Sequence, residues 1–237
     1  MEIKVLFDRE AIDRTLYKGW GVSFLINKEI LFDTGEDGRW LLRNIEKLKV
    51  DIEEIKAVVI SHDHWDHTGG LWEFLKNKKG VGVYSCPNFS AGFKSRVEKL
   101  GGRLLEAEGI TKIAGDIFVT GEIVGEFKRK YIAEQALVIK RKENLTVVTG
   151  CSHPGIVKVI NKVKENFPDM KINLVFGGFH LLDKSRQEVK FIAEKLREMG
   201  VEKVGPTHCT GYDAEMIFKE IYKESFIPIK TGMAFEV

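Results

Sequence analysis

Six histidines stand in this 237-residue chain, at positions 62, 64, 67, 153, 180 and 208, and three of them fall within His62-Asp63-His64-Trp65-Asp66-His67. Neutral imidazole and carboxylate are the donors that Zn²⁺ and other borderline divalent ions take. On an extended segment His62 and His64, two residues apart, point the same way, while Asp66 and His67 follow where the chain bends. One short segment can therefore serve two ions. Three protein ligands per ion leave a position for water, as in a catalytic site rather than a sealed structural one. The plainer reading, surface polarity or hydrogen bonding in a core, gives no reason for His62, His64, Asp66 and His67 to crowd together.

These residues need elements to position them. Apolar runs predict strands near 3–7, 20–26, 28–32, 55–60, 81–85, 136–140, 146–148, 172–176, 201–204 and 229–235, with weaker ones at 117–119 and 122–124. Helical faces appear at 38–48, 71–77, 90–100, 156–163, 189–199 and 214–222. Every histidine falls at or just after a predicted strand end, where the loops of an α/β domain gather into sites. Hairpins with helices between them, in two similar halves, predict two mixed sheets packed face to face with outer helices, an αββα sandwich of the α/β class. A doubly wound dinucleotide fold competes, but no G-x-G-x-x-G follows a predicted strand. Residues 86–133 are the hardest to place and read as a candidate insertion over the site. At Lys128-Arg129-Lys130 the choice lies between a solvated loop tip and a grip on an anionic substrate.

The length fits a single domain over 1–237. Hydrophobic residues at 43% and charged residues at 30% exclude a disordered chain. Thirty-seven Lys and Arg against 35 Asp and Glu leave a net charge of +2, which gives no support to a nucleic-acid partner. No run is long and apolar enough for a membrane span, and the strand-like start MEIKVLFDRE lacks the form of a signal peptide, so the expected location is the cytoplasm. Three cysteines at wide spacing make no disulfide framework.

The H-x-H-x-D-H segment, with Phe32-Asp33-Thr34-Gly35 upstream, resembles the motifs of the metallo-β-lactamase superfamily. The resemblance implies an αββα sandwich with one or two metals at the open edge between the sheets. It implies that His62, His64 and a later histidine, best His153, bind the first metal, and that Asp66, His67 and His208 bind the second. Asp66 also stands in the catalytic set. Where most members carry T-G-D, whose Asp bridges both metals, this chain has Thr149-Gly150-Cys151, and no His lies between 67 and 153. Cys151 then either bridges as a thiolate or packs as a small hydrophobe while His153 binds. Glu134, where the usual loop His would lie, either supplies a supporting carboxylate or is an ordinary charged loop residue. Asp33 is expected to orient a ligating His rather than to bind metal. His180 has no place in the common ligand set and is read as a catalytic proton donor or phosphate binder, with a ligand or a structural His as alternatives. Asp63 is read as structural, and Cys86 and Cys209 as inert thiols.

The strings EQALVI, TGCSHPGI, GGFHL and HCTG resemble a narrower branch, the 7,8-dihydropterin-6-methyl-4-(β-D-ribofuranosyl)aminobenzene 5′-phosphate synthase-like proteins. That branch implies a transferase releasing pyrophosphate from a pterin diphosphate. Two divalent ions, Zn²⁺ first with Mn or Fe as alternatives, can polarise a phosphoryl oxygen and activate water. The expectation is thus a hydrolase or transferase with a binuclear centre and a small anionic substrate, phosphorylated or a diphosphate and pterin-linked by the resemblance. A metal-binding sensor without turnover and an RNA or phosphodiester hydrolase are the alternatives; near-zero net charge argues against the latter.

Overall fold

The computed structural model describes all 237 residues and divides into two compact units, Met1–Glu108 with Lys230–Val237, and Gly109–Ile229.

In the first unit the strands are β1 (Glu2–Phe7), β2 (Ser23–Ile26), β3 (Ile30–Phe32), β4 (Ala57–Val59), β5 (Gly82–Ser85) and β6 (Arg103–Glu106). With the C-terminal strand Ala234–Glu236 at one edge they form a seven-stranded mixed sheet in the order C-terminal strand, β1, β2, β3, β4, β5, β6. β2 and β3 are joined by the three residues Asn27-Lys28-Glu29, where Asn27 and Lys28 both take positive φ, 50° and 63°, and the Glu29 amide donates to the Ile26 carbonyl. From β3 onward the strands are parallel, which requires crossovers, and the helical faces supply them. α1 (Gly38–Lys47) is started by Asp37, whose side chain accepts from the amides of Arg39 and Trp40, and it buries Leu41, Asn44 and Ile45. α2 (Trp65–Thr68) and α3 (Leu71–Asn77) join β4 to β5, and α4 (Ala91–Lys99), capped by Ser90, joins β5 to β6.

The second unit carries β7 (Thr111–Ala114), β8 (Ile117–Val119), β9 (Ile123–Phe127), β10 (Lys130–Glu134), β11 (Leu137–Arg141), β12 (Asn144–Thr149), β13 (Lys171–Gly178) and β14 (Val201–Thr207). Six of these form a mixed sheet in the order β14, β13, β12, β11, β8, β7, and β9 with β10 make a separate hairpin. β12, β13 and β14 are parallel, linked by α5 (Ile156–Asn166) and α6 (Arg186–Glu198), and α7 (Tyr212–Tyr222) follows β14. Val147, Val159, Ile160, Val163, Val175, Phe179, Val189, Leu196 and Phe218 belong to one buried core, so the apolar stripes of the helices close on the sheet.

Parallel order decides where chemistry can collect. The carboxyl ends of β12, β13 and β14 lie at one edge and deliver Cys151, His180 and His208 there; β3 and β4 likewise deliver Asp33 and His62 together.

Three expectations shift. Residues 86–133 are not one piece: β6 extends the first sheet, β7 and β8 extend the second, and only the β9–β10 hairpin stands outside both. The strand expected over 20–26 starts at Ser23, because Gly21 takes φ +94°. The strand expected over 229–235 pairs only from Ala234, since Gly232 turns the chain at φ +93° after Thr231 makes a lone bridge to Ala11. No helix is long and apolar enough to cross a membrane.

Candidate metal centre

In the first unit the hub is Asp33, fully buried just past β3. Its carboxylate accepts from the Ser61 amide at 2.7 Å and the Ser61 hydroxyl at 2.6 Å, and it meets His67 Nδ1 at 2.6 Å. Ser61 Oγ also lies 2.9 Å from His62 Nδ1. With Asp33 accepting, protons sit on the Nδ1 atoms of His67 and His62, and the Nε2 lone pair of each ring is turned outward as a donor. Burial raises the Asp33 carboxyl above its usual range, against the pull of His67 and Ser61. The next residue, Thr34, grips the same loop: its amide and hydroxyl both donate to the His67 carbonyl.

The donor spacings carry chemical information. His62 Nε2 lies 3.1 Å from His64 Nδ1, and His67 Nε2 lies 3.5 Å from Asp66 Oδ2. Around a tetrahedral ion with bonds of about 2.0–2.1 Å, ligand atoms stand roughly 3.3–3.4 Å apart. Each pair therefore has the separation of two ligands sharing one ion, and a carboxylate behind the imidazole is the usual support for such a ligand. Asp63 turns elsewhere and accepts from the amide of Ser90.

Gly21 seats this loop. A Cβ there would come within 1.8 Å of the Asp66 carbonyl oxygen, and its φ of +94° is one that side-chained residues rarely adopt. Gly21→Ala is expected to cost about 2 kcal/mol or more and roughly 4–8 °C in Tm, with weakened metal retention, measured by thermal unfolding and metal content. Unchanged values would mean that the loop relaxes without the site noticing.

In the second unit the organising group is Glu134, at the end of β10. Its Oε1 accepts from the amides of Cys151 (3.0 Å) and Ser152 (2.6 Å). Its Oε2 accepts from the amide of His153 (2.7 Å) and meets His153 Nδ1 at 2.9 Å. Burial pushes the carboxyl up, but His153 and the backbone N–H groups outweigh it and hold Glu134 below its ordinary range. The reading of Glu134 as an ordinary charged loop residue is thus corrected. Three consecutive amides and an imidazole converge on it, which is what makes a buried carboxylate tolerable.

Around this loop the donor atoms of Cys151, His153 and His180 lie within 4.8 Å of one another, and so do those of Cys151, His208 and Cys209. Cys151 belongs to both groups. The ring of Phe127, at the end of β9, stands edge-on to His153 and His180 at centroid distances of 5.2 and 5.8 Å. His180 Nδ1 is buried and makes no hydrogen bond. The contact with Cys209 raises the His180 pKa, with burial opposing. Sequence reasoning missed Phe127 and set Cys209 aside, although Cys209 directly follows His208 at the same strand end. Lys128 and Arg129 form the exposed two-residue turn of the β9–β10 hairpin, at φ 50° and 62°.

Nitrogen, carboxylate and thiolate donors at these spacings, with rings fixed from behind by Asp33 and Glu134, fit a borderline divalent ion. Residues 21–158 match the family described as the metallo-beta-lactamase superfamily. The chain is 31% identical over 258 aligned positions to the 7,8-dihydropterin-6-methyl-4-(beta-D-ribofuranosyl)-aminobenzene-5′-phosphate synthase of Methanocaldococcus jannaschii, covering 90% of this chain and 88% of that one. The crystal structure of Tm1679, described as a metal-dependent hydrolase of the beta-lactamase superfamily, has a TM-score of 0.85 and 32% identity, covering 100% of this chain and 99% of that one. YhfI of Bacillus subtilis, a metallo-beta-lactamase fold protein, shares the fold at a TM-score of 0.73 and 14% identity, covering 100% and 98%. By sequence and by its two mixed sheets with helices, the chain belongs to the metallo-β-lactamase superfamily.

Proposed function

We propose that the chain is a metal-dependent hydrolase or transferase acting on a small phosphorylated or diphosphate substrate. His62, His64 and His153 hold one divalent ion in this reading, Asp66, His67 and His208 a second, and Cys151 lies between them as a thiolate. The observation that carries it is the pair of ligand separations in the first unit, 3.1 Å for His62–His64 and 3.5 Å for His67–Asp66, with the far side of each ligating ring except His64 tied back through Asp33 or Ser61. The membership of Cys151 in both donor groups of the second unit supports its bridging place. Zn²⁺ is the ion the imidazoles favour, with Fe²⁺ or Mn²⁺ as alternatives.

Two such ions, when bound, polarise a phosphoryl oxygen and neutralise charge on a departing phosphate or pyrophosphate. The chain's own residues do the rest. Asp33, directly and through Ser61, and Glu134 fix the rings of His67, His62 and His153, so that these three need not reorganise as charge develops. His180 holds a proton beside the site and gives it to the leaving oxygen. The substrate class is supported by the phosphate ester in the name of the M. jannaschii relative, and the two relatives above 30% identity, one named a synthase and the other a hydrolase, frame the choice of reaction.

The test is metal content by elemental analysis on protein purified without added metal, run beside turnover of a phosphodiester, a phosphomonoester and a pterin diphosphate with and without chelator. Two equivalents and chelator-sensitive turnover are expected; pyrophosphate release that needs an amine-bearing acceptor identifies the transferase. Absence of metal sinks the reading, and metal without turnover on any of these favours a sensor. His180→Ala is expected to keep its metal and lose about a hundredfold or more in kcat. Loss of metal in that variant would make His180 a ligand instead.

A further inference from the structure

Cys209 lies outside the ligand sets above, yet the fold brings it to the same point as Cys151 and His208. Cys151 follows β12, and His208-Cys209 follow β14, with β13 running between the two. β13 ends there in Gly178, and a Cβ at Gly178 would stand 2.7 Å from the Cys209 sulfur and 3.2 Å from Cys151 Cα. The strand that separates the two cysteines thus carries no side chain where they meet. The donor atoms of Cys151, His208 and Cys209 all lie within 4.8 Å of one another, and all three residues are buried. Without an ion, the Cys209 thiol rests on the Cys151 carbonyl oxygen at 3.6 Å.

We infer that Cys209 is a thiolate ligand of the ion bound by His208 and Cys151, giving that ion two sulfurs and an imidazole from the second unit. The inference rests on the metal-dependent reading and extends it to a residue outside that ligand set. A packing role does not account for the arrangement, since a small hydrophobe gains nothing from facing a second sulfur and an imidazole nitrogen. On binding, each thiol exchanges its S–H bond for a sulfur–metal bond and releases one proton to solvent, with no change of oxidation state. Two thiolates select Zn²⁺, Co²⁺ or Fe²⁺ over Mg²⁺ and Mn²⁺, so the inference also narrows the native metal at this position.

Co²⁺ added to the chelator-stripped full chain tests it, through bound equivalents and the sulfur-to-cobalt charge-transfer absorption per bound ion. Because Cys151 bridges in this reading, Cys151→Ser is expected to lose about two thirds of that absorption and Cys209→Ser about one third, and Cys86→Ser none. Cys209→Ser with cobalt bound and wild-type absorption would overturn the inference while leaving the binuclear reading intact. A wild-type chain that binds no cobalt would overturn both. Should Cys209→Ser fail to fold, cadmium NMR of the wild-type chain decides: a resonance from a two-sulfur environment is expected, and only one-sulfur or sulfur-free resonances would refute it.

Discussion

His67→Ala is expected to lose at least one equivalent of metal and on the order of a thousandfold in turnover, about 4 kcal/mol of transition-state stabilisation. The imidazole does two things at once. Its Nε2 faces Asp66 at the spacing of a shared ion, and its Nδ1 meets the buried Asp33 carboxylate at 2.6 Å. Truncation therefore removes a ligand and leaves Asp33 with Ser61 as its remaining support, so a lower Tm accompanies the loss of metal. Asp33→Asn separates the two effects. It keeps the ligand but loosens the ring, and is expected to weaken metal affinity by about 10–100-fold rather than abolish it. Elemental analysis and chelator competition measure all of this. Full metal content in both His67→Ala and His62→Ala would remove the site from where it is placed here.

What could be read in advance from the chain follows from how far each interaction reaches. His62, His64, Asp66 and His67 sit in one turn of chain, so their convergence is a local property of an extended segment entering a short helix, and the motif displays it directly. The strands were legible because a parallel strand buried on both faces is a short, unbroken apolar run, as in Ala57–Val59 and the Leu174-Val175-Phe176 stretch of β13. The edges were not: Gly21 and Gly232 end pairing by φ, which hydropathy does not register. Cys209 was invisible for a different reason. Its partner Cys151 lies 58 positions away, and their meeting depends on β13 lying between them and ending without a side chain. The place of Phe127 against His153 and His180 likewise depends on the β9–β10 hairpin, which belongs to neither main sheet.

Glu134 makes the same point energetically, and its removal has the largest expected effect on stability. In Glu134→Ala the amides of Cys151, Ser152 and His153 and the Nδ1 of His153 all lose their acceptor. A buried donor left unsatisfied costs roughly 1–3 kcal/mol, and water entering the space left by the side chain recovers part of that. The net expectation is about 4 kcal/mol, or roughly 8–16 °C in Tm for a chain of this size. Glu134→Gln should fall between: one amide oxygen still accepts, but the new NH₂ faces N–H groups and repels them. Because the carboxylate also sets the His153 ring, the glutamine variant is expected to weaken metal affinity by about 10–100-fold even where it folds. Thermal unfolding of the chelator-stripped proteins isolates the structural part, and the shift of Tm on adding Zn²⁺ reports the metal part. A Glu134→Gln protein with wild-type Tm and a wild-type Zn²⁺ shift would show that the 151–153 loop holds its shape without the carboxylate, and that His153 does not depend on it for its aim.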